Sequence, residues 1–187
     1  IPNWGEVVGT FSHLDDHQWL KDYFEFPDRL RLHDLDNMRV FLPSGKAYHF
    51  DLDAFAGHRL HFDGFLCDKA INAGAEIHTG EALTRIQHQS KLDRDLLITS
   101  HGRYSFDFLI DASGSLAHVA RLRHGGDERY RPQDQVPTVY AQVQGKVPET
   151  FDVFLGSVAP SGYAWIIPKG PDTANVGIGV RAGYLEG

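Results

Sequence analysis

The chain has 187 residues, which is enough for one domain with a hydrophobic core or for parts of two domains. Its 25 acidic and 18 basic residues give a formal net charge of −7, which argues against nucleic acid as a partner and against electrostatic docking on anionic lipid. The single cysteine, Cys67, excludes an intrachain disulfide framework and a cysteine-based zinc site, and it fits a reducing compartment.

The apolar runs of the sequence are short, and no charged and apolar leader opens it. We therefore expect neither a membrane span nor a signal peptide. The chain opens at Ile1 without a methionine and ends directly after a predicted strand. We expect it to be the middle part of a longer protein.

In the first half of the chain, helical spacing and early acidic residues predict a short helix over residues 15–21. Short strands are predicted over residues 30–33, 38–42 and 47–50. The clearest helix covers residues 62–74, because apolar residues recur there with three-to-four spacing. Asp63 is its predicted N-terminal cap and Gly74 its predicted end.

The second half predicts two groups of strands separated by a turn that contains glycine. The first group comprises residues 75–79, 84–88, 96–100 and 105–111, the last three as a β-meander. Residues 108–110 form a continuous apolar run, which is typical of a buried strand. A short helix is predicted over residues 116–123, and the polar stretch 125–135 marks a boundary. The second group is an antiparallel sheet of strands at residues 138–144, 151–155, 163–167 and 174–181.

An aromatic block near the end of the chain is the most informative feature. Tyr163 and Trp165 alternate on a predicted strand that ends at Pro168, and Gly177 and Gly179 alternate on the next strand. Flat rings that face a bare glycine strip can form a slot for a large, flat or apolar ligand. The alternative is a hairpin with aromatic core residues and space-saving glycines, which periodicity alone favours.

A turn of small residues, Ala112, Ser113 and Gly114, follows the apolar run at residues 108–110. Such a turn lets the backbone approach a ligand closely, and its N–H groups can face a phosphate or a flavin carbonyl. The alternative is an ordinary turn from a strand to a helix, and the signal alone is weak.

Arg59 lies just before the predicted helix at residues 62–74. A guanidinium beside a helix N-terminus suits a diphosphate, because its fork geometry and the helix dipole both favour an anion. The alternative is a surface arginine paired with a nearby aspartate, which is the commoner arrangement.

Other reactive residue types form no recognised motif. No cysteine cluster or His-Glu-x-x-His motif accompanies the histidines, so we predict no metal site. The histidine pairs are His13 and His17, His58 and His61, and His118 and His124. Ser44, Ser113 and Ser161 lack the Gly-x-Ser-x-Gly elbow of hydrolases.

The order of these pieces resembles the middle of the geranylgeranyl reductase family. These are FAD-dependent enzymes with the p-hydroxybenzoate hydroxylase-type fold, and the resemblance covers essentially the whole chain. The motifs that carry it are Gly5-Glu6, Arg59-x-x-Phe62-Asp63-x-x-Leu66, Ala73-Gly74-Ala75-Glu76, Asp111-Ala-Ser-Gly114, Val119-Ala-Arg121, Tyr163-x-Trp165-x-Ile-Pro168 and Gly177-x-Gly179.

The resemblance implies an α+β chain that is part of an FAD/NAD(P)-binding α/β flavoprotein. Residues 1–6 and 51–127 would belong to the FAD domain, with its helix and β-meander, and residues 7–50 and 128–187 to the antiparallel sheet of a substrate domain. The implied cofactor-binding residues are Arg59, Ala112, Ser113 and Gly114. The implied substrate-binding residues are Tyr163, Trp165, Pro168, Gly177 and Gly179, and no catalytic residue is assigned.

Trp4 stands where the family often has a cysteine, and Ile167 stands where a phenylalanine is usual. Ser113 stands where the wider flavoprotein monooxygenase group usually has an aspartate before the glycine of the turn. The Gly-x-Gly-x-x-Gly fingerprint that belongs upstream is absent from the chain, and so is the downstream Gly-Asp motif that closes the flavin site. The adenosine-diphosphate cradle is therefore not among these residues. We expect the 187-residue piece alone to bind FAD weakly or not at all and to be inactive.

For the parent protein the resemblance implies an FAD-dependent oxidoreductase that reduces C=C bonds of a polyprenyl or similar apolar substrate. NAD(P)H or another reductant would supply electrons. The expected location is cytoplasmic, with contact through the substrate to the inner face of the membrane. The alternatives are a flavin-dependent monooxygenase or halogenase of the same fold, and a non-catalytic module that binds apolar ligands.

Overall fold

The structure is a computed structural model that describes residues 7–9, 26–89, 94–124 and 135–184. The predicted helix at residues 15–21 lies outside the described residues. The chain divides into two compact units, the first formed by residues 1–73 and 136–187 and the second by residues 74–135. No helix in the described ranges is long and apolar enough to cross a membrane.

The first unit contains a seven-stranded sheet of β1 (Val7–Gly9), β2 (His33–Phe41), β3 (Ala47–Ala56), β7 (Thr138–Gln144), β8 (Phe151–Phe154), β9 (Tyr163–Pro168) and β10 (Thr173–Gly179). The strands lie in the order β1-β3-β2-β8-β9-β10-β7. Every neighbouring pair is antiparallel except β2 with β8, which confirms the predicted antiparallel sheet. β3 therefore continues past the predicted domain boundary at residue 50, and the assignment of FAD and substrate domains stays a prediction.

One face of this sheet carries the hydrophobic core. Alternate residues of the paired strands project to the same side, so their apolar side chains form a continuous layer. The buried cluster comprises Leu35, Ala54, Ala56, Phe151, Val153, Trp165 and Ile167. Trp165, the second ring of the predicted aromatic block, is thus a core residue.

An ion pair spans the parallel junction between β2 and β8. Arg39 donates from Nε to Asp152 Oδ1 at 2.8 Å and from its terminal nitrogen to Oδ2 at 2.6 Å. Thr150 donates a third hydrogen bond to the Asp152 carboxylate, at 2.7 Å. Asp152 is buried, so this bidentate pairing satisfies a charge that would be costly without a partner.

The helix α1 (Arg59–Asn72) confirms the predicted helix but begins three residues earlier. Asp63 is therefore not its N-terminal cap: His58 occupies the cap position, and Asp63 lies one turn inside the helix, where it pairs with Arg59. The predicted end is confirmed, because Gly74 has a φ of +95° just after the helix, a conformation that glycine adopts without strain.

Aromatic packing fixes α1 to the sheet. Phe26 contacts Phe55 of β3 with ring centroids 5.8 Å apart, and it contacts Phe62 and Phe65 of the helix at 5.2 and 6.1 Å. Gly57 joins β3 to α1, and a Cβ there would lie 2.9 Å from the Leu30 carbonyl oxygen. Only glycine permits this close approach, so the position at which α1 begins is set by packing.

The second unit contains a three-stranded antiparallel sheet of β4 (Leu83–Gln89), β5 (Arg94–Thr99) and β6 (Arg103–Ser105). A 3-10 helix at Gly114–Leu116 and the short helix α2 (His118–His124) follow. The Glu81 carboxylate accepts hydrogen bonds from Thr99 and Tyr104. These bonds, that from Thr99 first, hold the pKa of Glu81 below its ordinary value.

Two predicted strands in this unit are wrong. Residues 75–79 form no strand, and the third strand of the meander ends at Ser105 instead of continuing to Asp111. Phe108 and Ile110, predicted to be buried, are 92% and 88% exposed. A continuous apolar run becomes a buried strand only between neighbouring strands, and no described strand pairs with residues 108–110.

Candidate functional site

The aromatic block forms the predicted hairpin of β9 and β10. Trp165 lies opposite Gly177, and Tyr163 lies opposite Gly179. Because directly opposed residues project to the same face, both rings lie on the side where the glycines lack a side chain. The eight residues between Pro168 and Gly177 therefore set this register.

The glycine strip is not bare, which corrects the prediction of an open slot between the rings and the glycines. A Cβ placed on Gly177 would lie 2.2 Å from Cζ2 of Trp165, so the indole ring covers that position. A Cβ on Gly179 would lie 2.8 Å from the methyl group of Thr138 on β7. The glycines make room for side chains of the neighbouring strands, as in the alternative interpretation of a core hairpin.

A hydrogen bond that no sequence motif indicated holds the indole in place. Trp165 Nε1 donates to Oδ1 of the buried Asn175 at 2.7 Å. Asn175 lies two residues before Gly177 on the same face of β10. A polar residue at that position of an otherwise apolar strand was the one available signal, since a buried tryptophan N–H needs an acceptor.

Accessible aromatic surface remains on either side of the buried indole. The Tyr163 ring packs against Trp165 with centroids 5.6 Å apart and is half-buried. Tyr140 on β7 lies opposite Gly177 in the same row and is 57% exposed. Pro168 is fully buried at the end of β9, so it does not contribute to this accessible surface. Sequence reasoning missed Tyr140, because its strand carries no motif.

The structure brings the end of the hairpin to the beginning of α1. Lys169, which directly follows Pro168, is buried, and its Nζ lies 3.1 Å from Nδ1 of His58. His58 immediately precedes Arg59. Two motifs that are 111 residues apart in sequence, one predicted to bind cofactor and one to bind substrate, thus meet in the first unit.

Arg59 is the first residue of α1, and its guanidinium is paired with a carboxylate. Its Nε donates to Oδ1 of Asp63 at 2.6 Å, four residues later on an exposed face of the helix. This is the surface pair that the sequence left open as the alternative. A half-exposed pair of this kind is weak, and the guanidinium keeps further donors for an anion.

The turn at Ala112, Ser113 and Gly114 lies in the second unit and is organised by Asp111. One Asp111 oxygen accepts from the hydroxyl and the backbone N–H of Ser113, and the other accepts from the N–H of Ala120 at 3.1 Å. These bonds, that from the Ser113 hydroxyl first, hold the pKa of Asp111 below its ordinary value. Both donors of Ser113 are thus used within the turn.

The turn at Ala112, Ser113 and Gly114 is exposed, and it leaves the backbone open at its glycine. Gly114 has a φ of +75°, and no heavy atom lies within 4 Å of the position its Cβ would take, so a flat ligand could approach the backbone there. In the described ranges no group of three or more histidine, cysteine, aspartate or glutamate residues could hold a metal ion.

Residues 136–186 match the sequence model of the geranylgeranyl reductase catalytic domain. The chain is 42% identical over 132 residues to digeranylgeranylglycerophospholipid reductase 2 of Methanothermobacter thermautotrophicus, covering 66% of this chain and 33% of that protein. It is 27% identical over 175 residues to the digeranylgeranylglycerophospholipid reductase of Methanosarcina acetivorans, covering 87% and 43%. The chain therefore spans less than half the length of these curated relatives.

Solved structures show the same fold. A geranylgeranyl bacteriochlorophyll reductase-like protein of Thermoplasma acidophilum superposes with a TM-score of 0.78 at 20% identity, covering 98% of this chain and 48% of that one. A flavin-dependent brominase superposes with a TM-score of 0.66 at 17% identity, covering 95% and 46%. These likenesses confirm the predicted fold class, a mostly antiparallel α+β part of a flavoprotein.

Proposed function

Because the chain belongs to the geranylgeranyl reductase family, we propose that the whole protein reduces C=C bonds of a geranylgeranyl-type lipid with FAD. The whole protein here means this chain with any sequence that flanks it. The observation that carries the proposal is the match of residues 136–186 to the family's catalytic domain, since these residues contain the complete hairpin of Tyr163 to Gly179. The relatives named above are reductases of a lipid that carries geranylgeranyl chains.

The hairpin would bind the lipid chain by apolar and aromatic contact. Trp165 is locked by Asn175 and cannot turn out without losing a buried hydrogen bond, so it forms a fixed wall. The exposed ring of Tyr140 and the half-buried ring of Tyr163 offer the accessible surface beside that wall. Large rings with few rotatable bonds bind an alkyl chain at a low cost in conformational entropy.

Arg59 and the turn at Ala112, Ser113 and Gly114 would contact the cofactor, as the family resemblance implies. FAD, when bound and reduced, supplies the hydride that an unactivated alkene requires. The residues of this chain would bind and orient the two molecules and exclude water, and no described residue is assigned as the proton donor. NAD(P)H or another reductant would regenerate the reduced cofactor.

The proposed substrate also suggests where the protein acts. A lipid with long polyprenyl chains resides in a bilayer, so the enzyme would meet it at the membrane surface, and we place it on the cytoplasmic face. A flotation assay of the whole protein with liposomes of the lipid tests this location. Protein that stays at the bottom of the gradient with loaded liposomes would contradict it.

The experiment that tests the function is anaerobic turnover of the whole protein. With chemically reduced FAD and a geranylgeranyl phospholipid, we expect products that gain two hydrogens per double bond, detected by mass spectrometry. A product that forms only with oxygen would support the monooxygenase or halogenase alternative. The 187-residue chain alone should show weak or no flavin absorbance after purification.

Two tyrosine variants test the role of the hairpin. We expect Tyr140→Ala to raise the KM for the lipid about tenfold, equivalent to about 1.4 kcal/mol of lost apolar contact. Tyr184→Ala is the matched control, because Tyr184 is 59% exposed against 57% for Tyr140 and lies outside the hairpin. Equal KM values for the two variants would remove Tyr140 from the proposed lipid site.

A further inference from the structure

Lys169 is a buried basic residue to which the proposed chemistry assigns no role. The residue is only 8% exposed, and its Nζ lies 3.1 Å from Nδ1 of His58. Lysine is rarely buried, because removing an ammonium group from water is costly. A lysine ammonium can only donate, so Nδ1 of His58 accepts in this contact.

The lysine side of this contact is fixed by the hairpin. The backbone N–H of Lys169 donates to the Thr173 carbonyl oxygen at 2.8 Å, which closes the turn between β9 and β10. Pro168 before it is fully buried and lies opposite Ala174. Lys169 therefore extends from a rigid base toward α1.

The histidine side is fixed by the beginning of α1. The His58 carbonyl accepts the first helical hydrogen bond, from the N–H of Phe62 at 3.0 Å. Gly57 before it packs against the backbone of Leu30. A bond to the His58 ring thus acts on the residue from which the first turn of the helix, and with it Arg59, projects.

We propose that Lys169 is a positioning residue for the flavin site: by donating to His58 it holds Arg59 in register with the hairpin that carries Trp165. This inference rests on the proposed function, since it takes Arg59 as a cofactor contact. The contact suits this role, because a backbone hydrogen bond anchors each of its two residues.

The test measures FAD affinity in the whole protein. We expect Lys169→Met to raise the FAD dissociation constant about tenfold, measured by flavin fluorescence under conditions in which circular dichroism shows the variant to be folded. Lys169→Arg should restore most of the affinity, because it keeps a donor. Lys146→Met, at an exposed lysine, is the matched control and should bind FAD like the wild type.

The partner residue gives a second, independent readout. His58→Phe keeps an aromatic ring and removes the acceptor, so it should also weaken FAD binding. The double variant should be weaker by less than the product of the two single factors, because both variants remove the bond between Lys169 and His58. Single factors that multiply in full in the double variant would overturn the proposal.

The outcomes separate this inference from the function on which it rests. Wild-type protein that binds FAD while Lys169→Met binds it equally well would overturn the positioning role alone. A loss of affinity that Lys169→Arg does not restore would show that the missing donor is not its cause, and would overturn the positioning role as well. Wild-type protein that binds no FAD would overturn the proposed function, and this inference with it.

Discussion

Substituting alanine for Gly177 tests whether the indole of Trp165 fills the glycine strip. The added Cβ would lie 2.2 Å from Cζ2, 2.5 Å from Cε2 and 2.8 Å from Cη2 of that ring. Ordinary contacts begin near 3.4 Å, so the ring must move by about 1.2 Å. Such a shift strains the 2.7 Å bond from the indole N–H to Asn175.

The magnitude follows from these two effects. Overpacking of a well-packed site costs about 1–3 kcal/mol, and weakening a buried hydrogen bond adds about 1 kcal/mol. We therefore expect Gly177→Ala to lower the free energy of unfolding by about 2–4 kcal/mol. With a urea m-value of about 2 kcal/mol/M, the midpoint falls by about 1–2 M.

The assay is urea denaturation of the whole protein, and Gly64→Ala is the matched control. It adds the same methyl group on an exposed position of α1 with no atom within 4 Å, so it should stabilise the helix by about 0.5–1 kcal/mol. Combining Gly177→Ala with Trp165→Leu should remove most of the added loss, because the clash partner is gone. A Gly177→Ala protein as stable as the wild type, or an undiminished loss when Trp165→Leu is already present, would refute the reasoning.

Three further substitutions test other parts of the fold. Asp152→Ala should lower the free energy of unfolding by about 2–3 kcal/mol in urea denaturation, less than for a fully buried pair because Arg39 partly reaches water; an unchanged midpoint would contradict this. Ser113→Ala should raise the pKa of Asp111 toward its ordinary value, measured by NMR of the carboxyl carbon. The pKa of Asp111 is lower in the folded than in the unfolded protein. Its contribution to stability is therefore present above the unfolded pKa and is lost as pH falls through the folded pKa. The variant should lose this contribution at a higher pH than the wild type. Gly114→Ala should lower the free energy of unfolding by about 1–2 kcal/mol, because the φ of +75° at this position strains any residue with a Cβ. Equal thermal stability of the variant and the wild type would argue against that conformation.

The strands and the main helix were predictable where a local pattern decides the structure. Alternation predicted β7 and β9 almost to the residue, and Gly74 marked the end of α1. The beginning of α1 was not predictable, because it depends on Gly57 packing against the backbone of Leu30. Residues 108–110 were misjudged for a similar reason, since burial of an apolar run depends on neighbouring strands.

The candidate site was predictable in the hairpin that forms it and not in its packing. Alternation placed the two rings and the two glycines on one face, but it could not show that the ring of Trp165 covers Gly177. Asn175 and Lys169 escaped notice because their roles depend on side chains that meet only in the fold. The Lys169 partner, His58, is 111 residues away in sequence, beyond the reach of any local pattern.

The parallel junction between β2 and β8 has a consequence for how the protein folds. Arg39 and Asp152 are 113 residues apart, and the whole second unit lies between them in sequence. Contacts of such separation form late, because a long loop must close before they contribute. During synthesis the centre of the sheet therefore stays incomplete until β8 has emerged from the ribosome, and until then the edge of β2 is open to wrong strand partners.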